Sequence, residues 1–440
     1  VLAGALLVGE SVRASLRDLF LNRLGKTAYV ISSAGFFREE LASDLESHGA
    51  FSDSFGAASP LVALEGMVIH EASGRRSSGV EVYGVDDRFW RFHGLESASS
   101  VNLAGRDVLL TESLARELGS NPQDTILLRV EQPYDVPAEF LHGRRDEIGR
   151  TIRLTAGGSL SELGIEAFSL RPQQGDVHAA FVPLQRLQVD LDQEGRVNTI
   201  LVSDADDSLE SDGEAALAEM LGSASRLEDL GVTLEVLEDA HCLSVTSPRI
   251  LIRDGVAEAV QETASRLGLD TSRILTYLAN TMRSGSAEIP YSLVAALDES
   301  AFDTLRAGVE RLPMPESSMD QTIVLNDWAA LDLGVRLGDP LTLDYYVWTD
   351  DGRLESRSAD CVVSSVVPIE GAAGDPNLAP TYPGMTDADA VSDWDPPFPI
   401  DLERVRPKDE EYWELYRATP KAFIPLARGQ ELWRSRYGAL

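Results

Sequence analysis

"VLLTESLARELGSNPQDTILL" (Val108–Leu128) and "IVLNDWAALDLGVRLGDPLTL" (Ile323–Leu343) align within one chain at a constant offset. Val108 falls on Ile323, Leu110 on Leu325, Ala115 on Ala330, Leu118-Gly119 on Leu333-Gly334, and Asp124 on Asp339. Each stretch opens on an apolar run, passes through helical spacing that stops at glycine, turns at aspartate and resumes an apolar run. That pattern predicts strand, short helix, turn, strand. Similarity of this kind inside one chain marks a repeat, and the rest of the sequence is read outward from it.

Downstream, "AAFVPLQRLQ" (Ala179–Gln188) matches "KAFIPLARGQ" (Lys421–Gln430), with Phe181 on Phe423 and Pro183 on Pro425. Upstream, "VEVYGVDDRFW" (Val80–Trp90) holds the place that "YSLVAALDESAF" (Tyr291–Phe302) holds later. Earlier still, "TAYVISS" with "FFREELASDLES" predicts a strand and a helix, and "PRILIR" with "DGVAEAVQETASRLG" predicts the same order again. The chain therefore reads as an α+β protein made of two tandem copies of a split β-α-β unit, each an α+β sandwich. The first copy is placed at 1–205 and the second at 206–440, divided near the acidic stretch "SDADDSLESDGE" (Ser203–Glu214). The second copy carries an insertion at 369–417, rich in Pro, Asp and aromatic residues. It is expected to be an ordered loop because Trp394, Phe398, Tyr412 and Trp413 give it something to bury.

With 440 residues the chain exceeds one ordinary core, and 43% hydrophobic and 25% charged residues describe a folded protein. A formal charge of -34, from 72 acidic and 38 basic residues, argues against binding nucleic acid or anionic headgroups. Only Lys26, Lys408 and Lys421 are lysines; the other basic residues are arginines. The two cysteines, Cys242 and Cys361, lie in no metal or redox spacing and read as ordinary thiols, with one disulfide or none.

Motifs for chemistry are weak. "GKT" (Gly25–Thr27) ends like a phosphate-binding loop, but Phe20 stands where that loop needs glycine. "DLDQEG" (Asp190–Gly195) spaces oxygen ligands like a calcium loop, yet Leu201 occupies the closing glutamate position, so a helix terminus is the simpler reading. The aspartates of Asp387–Asp395 read as solvated. His48, His70, His93, His142, His178 and His241 show no paired spacing, and no serine-nucleophile signature occurs. Arg144-Arg145 reads as a hairpin tip. No catalytic, cofactor-binding or metal residues and no cofactors are assigned. Carboxylate pairs for glycoside cleavage stay open only because so acidic a chain always offers some.

The chain opens "VLAGALLV" (Val1–Val8), with valine where an initiating methionine would stand and no signal-peptide pattern. Val12, Leu16, Leu19, Phe20 and Leu24 then form a helical stripe that Gly25 is placed to stop. No run spans a membrane, so the opening is either an N-terminal helix packed on its own domain or the last turns of a span.

Together these segments resemble the large extracytoplasmic domain of MacB/FtsX-type ABC-transporter permeases, the long-insert kind. "LLVGESVRASLRDLFLNRLGKT", "FFREELA", "VYGVDDRFWRFHGL" and the two Leu-Gly elements carry the resemblance. "RVNTILV", "WDPPFPIDL", "DEEYWELYR" and "TPKAFIPLARGQELWRSRYG" extend it over nearly the whole chain. One departure is "SNPQD", where Asp124 lacks the glycine that precedes Asp339, which puts that turn's geometry in question. The resemblance implies a porter-like core and an N-terminal amphipathic helix continuing from a transmembrane helix before Val1, with another membrane span after Leu440. It further implies an inner-membrane protein whose segment here is periplasmic, without enzymatic activity of its own. Its partners would be an ABC ATPase, a second permease copy and an extracytoplasmic protein, with motion transmitted from ATP hydrolysis. A secreted carboxylate-dependent hydrolase and a free solute-binding or adhesive protein are the alternatives. The aromatic stretch Trp394–Trp413 is either a partner contact or a cover for its own sheet.

Overall fold

The computed structural model describes residues 17, 20–95, 103–131, 149–160, 165, 167–173, 175–205, 213–238, 241–248, 251–313, 321–349, 353–382, 384–386, 388–394, 396 and 398–433. Arg144-Arg145 and most of the expected N-terminal helix lie outside these residues. The fold is mixed α+β, in two compact units: Val1–Pro133 with Glu147–Gly231, and Tyr134–Asp146 with Val232–Leu440.

Unit one contains β1 (Tyr29–Arg38), β2 (Phe55–His70), β3 (Arg76–Val85), β4 (Asp107–Leu110), β5 (Thr125–Glu131), β6 (Gly149–Ser159), β7 (Ala179–Pro183) and β8 (Arg196–Asp204). The order is β1-β8-β2-β3-β7-β4-β6-β5, and a further β2–β5 pairing closes the sheet from β2 onward into a ring. Strand β5 shows why the ring forms. Ile126, Leu128 and Val130 alternate inward with Leu127 and Arg129 between them, the two-residue period of a half-buried strand.

Unit two begins with a hairpin of β9 (Thr233–Leu237) and β10 (Cys242–Thr246) and the helix Asp254–Arg266. Its barrel uses β11 (Ile274–Ser284), β12 (Ala287–Leu297), β13 (Thr322–Asn326), β14 (Pro340–Trp348), β15 (Leu354–Val367) and β16 (Ala422–Pro425). They close in the order β11-β12-β16-β13-β15-β14. Strands β13 and β16 are covered on both faces, so Ile323, Val324, Leu325, Ala422, Phe423 and Ile424 are all buried. Burying Phe423 and Ile424 contributes about 1.5–3 kcal/mol each.

Strand for strand, β2-β3-β7-β4-β6-β5 has the order of β11-β12-β16-β13-β15-β14. The senses agree too: β3–β7 and β4–β6 are parallel, as are β12–β16 and β13–β15, and the other ring neighbours are antiparallel. Both Leu-Gly helices, Glu112–Leu118 and Asp327–Leu333, stop at left-handed glycines, Gly119 (φ 64) and Gly334 (φ 66). The following turns agree bond for bond. Asn121 N donates to Asp124 Oδ2 at 2.7 Å, and Arg336 N donates to Asp339 Oδ2 at 2.8 Å. Gln123 N reaches Ala156 O at 2.8 Å, and Gly338 N reaches Val363 O at 2.8 Å. Gln123 takes φ 77 where Gly338 takes φ 90, so the turn lacking its glycine keeps the same geometry with glutamine in the left-handed region.

Three expectations are corrected. The two split β-α-β units read as α+β sandwiches; each sheet instead closes on itself, through β2–β5 and β11–β14. "FFR" belongs to β1 and not to a helix, because a register shift between Ser32 and Phe37 turns Phe36 and Phe37 both inward; the helix covers only Leu41–Glu46. "PRILIR" forms no strand over its described residues 248 and 251–253. Leu251 instead enters the core of unit two, and the helix Asp254–Arg266 follows as expected.

Candidate functional site

In unit one the chain enters the ring through a built junction. Phe20–Arg23 is helical and Gly25 (φ 59) turns the chain, after which Ala28 N bonds Val202 O at 2.9 Å. A Cβ on Gly25 would lie 2.5 Å from His93 Nδ1, so only glycine fits there. Arg23 is buried, and its Nη1 and Nη2 donate to the carbonyls of Gln173 (2.5 Å) and Gly175 (2.8 Å). Ser169 N returns a bond to Arg23 O at 3.3 Å.

The loop gripped by Arg23 is itself fixed to a buried carboxylate on β3. Glu81 is 5% exposed and accepts from Ser169 Oγ (2.7 Å), Gln173 Nε2 (2.8 Å) and Tyr83 Oη. Leu170 N donates to Tyr83 Oη at 3.0 Å. Burial, with the Glu81 charge beside it, pushes the Tyr83 phenol well above its ordinary range. A buried carboxylate surrounded by neutral donors is a strut: its lone pairs are satisfied, so it fixes the loop without offering a reactive group.

His93 packs beside this junction, its ring 4.7 Å from Phe89 and 5.2 Å from Phe168. Burial, reinforced by the Lys26 charge, lowers its pKa to about 4, so it is neutral at pH 7 and accepts from Lys26 N at 3.4 Å.

Of the other histidines, the structure sets His70 between Ser73 Oγ (2.9 Å from Nδ1) and Asp124 Oδ2 (3.3 Å from Nε2). No motif announces this grouping, because Asp124 comes from a different strand connection. It is still not a nucleophile relay. Nε2 lies near Asp124 without hydrogen-bond geometry, and Ser73 Oγ also caps Arg75 N at 3.3 Å on an exposed turn. Asp190, first of the calcium-like spacing, ends the helix Leu184–Asp190 and pairs with Arg186, as a helix terminus would. Among the described residues no cluster of His, Cys, Asp and Glu could hold a metal ion. Cys242 is exposed and Cys361 buried, and both are free thiols.

In unit two the insertion lies on its own barrel. Trp394, Phe398, Tyr412 and Trp413 are all buried, Trp394 and Trp413 edge to face at 5.0 Å. The aromatic stretch therefore covers its own unit and presents no ring surface to a partner. Among the described residues no helix is long and apolar enough to cross a membrane.

No protein-family model matches the chain, and no curated protein matches it. Among solved structures it is similar to the periplasmic region of MacB from Actinobacillus actinomycetemcomitans, at 13% identity and TM-score 0.27, over 56% of this chain and 98% of that one. It is also similar to the extracellular domain of the noncanonic ABC-type transporter YknZ from Gram-positive bacteria. That match has 8% identity and TM-score 0.27, over 48% of this chain and 90% of that one.

Proposed function

We propose that this chain is the non-enzymatic extracytoplasmic domain of an ABC-transporter permease. In this reading it receives ATP-driven motion through its N-terminal helix and passes it to an extracytoplasmic substrate or partner. The observation that carries the proposal is the Arg23 clamp. A helix end held by two charge-assisted bonds to a loop, and that loop held by a buried carboxylate, transmits displacement instead of absorbing it. The two rings support a duplication with copies at 1–205 and 206–440, the compact unit running on past the first copy through the helix Gly213–Ala224. The motif resemblance supports membrane spans before Val1 and after Leu440, an ABC ATPase on the same or another chain, and a second permease copy.

The test uses the full-length transporter in nanodiscs, spin-labelled in pairs within unit one and between the units of two permease copies. Nucleotide-dependent change between copies, with unchanged distances inside unit one, is expected. A full-length gene encoding a cleavable leader and no membrane span would overturn the reading. So would turnover of a glycan or ester by the purified domain.

A further inference from the structure

Lys421 stands immediately before β16, at the position that Ala179 holds in unit one. The backbone role is shared, since Thr111 N bonds Ala179 O at 3.0 Å and Asn326 N bonds Lys421 O at 3.1 Å. The fold therefore needs no lysine here, yet one of only three in the chain occupies the site and is buried. Its ammonium makes no hydrogen bond among the described residues. It lies 3.9 Å from Asp409 Oδ1 and 4.7 Å from the ring centres of both Trp328 and Tyr412. Burial lowers its pKa to about 8, which leaves it mostly protonated at pH 7.

Asp409 is already committed to Arg406, which donates to it from Nε (2.7 Å), Nη2 (2.7 Å) and N (3.0 Å). Arg406 Nη2 and Lys408 Nζ also reach Asp332. Arg406, Lys408 and Lys421 thus face the carboxylates of Asp332 and Asp409, leaving one positive charge over.

Beside Lys421 is a cavity of ≈ 20 Å³, lined also by Trp394, Tyr412, Arg417 and Thr419. Its hydroxyls are spent: Thr419 Oγ1 donates to Tyr416 O at 2.6 Å and Tyr412 Oη to Thr419 O at 3.1 Å. Trp394 Nε1, by contrast, is buried with no acceptor among the described residues. Lys421 and Trp394, with the Asp409 carboxylate that Arg406 already holds, thus line a space large enough for one water-sized atom.

We propose that this cavity is a binding site for one small monovalent anion of halide size, held by the Lys421 ammonium and the Trp394 N–H. The single excess positive charge favours an anion over water, and a space for one water-sized atom suits a halide. The repeat supplies the contrast: at the matching position unit one has Ala179, which offers no ammonium.

The probe is bromide. Crystals of the intact chain grown in sodium bromide should show an anomalous peak between Lys421 Nζ and Trp394 Nε1. In solution at pH 7, bromide or chloride should raise the melting temperature relative to gluconate at equal ionic strength. Trp394→Phe keeps a ring but removes the donor and should weaken halide binding about tenfold, as expected for one charge-assisted hydrogen bond. Lys421→Met should abolish it. If Lys421→Met fails to fold, the wild-type anomalous map and Trp394→Phe decide. A water without anomalous signal overturns the proposal. So does an adventitious ion only, meaning bromide whose occupancy is the same in Trp394→Phe.

Discussion

The hydroxyl of Tyr382 donates to the carbonyl of Thr276 at 2.6 Å, and the Thr276 hydroxyl reaches Leu378 O at 2.5 Å. Strand β11 pairs with β14 only from Ala279 onward, so its first half, Ile274–Leu278, has an edge that β14 does not reach. In unit one the matching half of β2 is paired by β8, through Ala58–Leu61 with Thr199–Val202. The insertion thus protects with side chains an edge that β8 protects with backbone, two answers to the same hazard of an open strand.

Tyr382→Phe removes that donor and leaves the buried Thr276 carbonyl short of a partner. A loss of about 1–3 kcal/mol is expected, read as a lower denaturant midpoint with unchanged slope. Unchanged stability would mean another group covers the edge.

Arg23→Met keeps much of the apolar stem and deletes both bonds to the 173–175 loop. Hydrogen exchange at the amides of Leu24 and Thr27 should speed up by about tenfold or more, since local opening loses its charge-assisted restraint. Exchange of ring amides in β7 should stay the same. Equal acceleration in both places would show that Arg23 supports the whole unit and not the junction.

His93 gives the junction a pH dependence with a fixed sign. Its pKa is about 4 when folded against an ordinary value near 6.5, so the unfolded chain binds the extra proton. Its contribution is complete above about pH 6.5 and is lost as pH falls toward 4. His93→Gln should flatten stability across that window, and melts at pH 7, 6, 5 and 4 would show it.

Trp394→Ala and Trp413→Ala each empty a buried ring site, so each should cost about 3–5 kcal/mol and lower the melting temperature. A variant that melts normally and loses only transport would show a contact role instead.

Gln123→Gly should stabilise the chain by about 0.5–1 kcal/mol, because the strain of a left-handed glutamine outweighs the entropy cost of glycine. Chemical denaturation of both proteins decides the sign.

Much of the fold was legible where the pattern was local. The Leu-Gly helices and their flanking strands follow from apolar spacing and a glycine stop; upstream of them, Asp86 and Asp298 cap the helices Asp87–Phe92 and Glu299–Leu305 by accepting from Arg88 N and Ala301 N. What depended on distance was not legible. Ring closure needs pairing partners far apart in sequence, as with His70 and Ile126. The clamp joins Arg23 to Gln173 across a separation that no motif spans. "PRILIR" misled because a short apolar run can serve a connector as readily as a strand. The buried charges Glu81 and Lys421 were invisible for the same reason: a sequence shows an acid or a base but not whether it is covered.

The left-handed glutamine also shows where the turn gets its shape. Glycine reaches φ near 80° freely, whereas glutamine holds it only because neighbours such as Ala156 O and Asp124 impose it. The bend is therefore dictated by the frame around it, and the residue at its apex sets only what holding that bend costs.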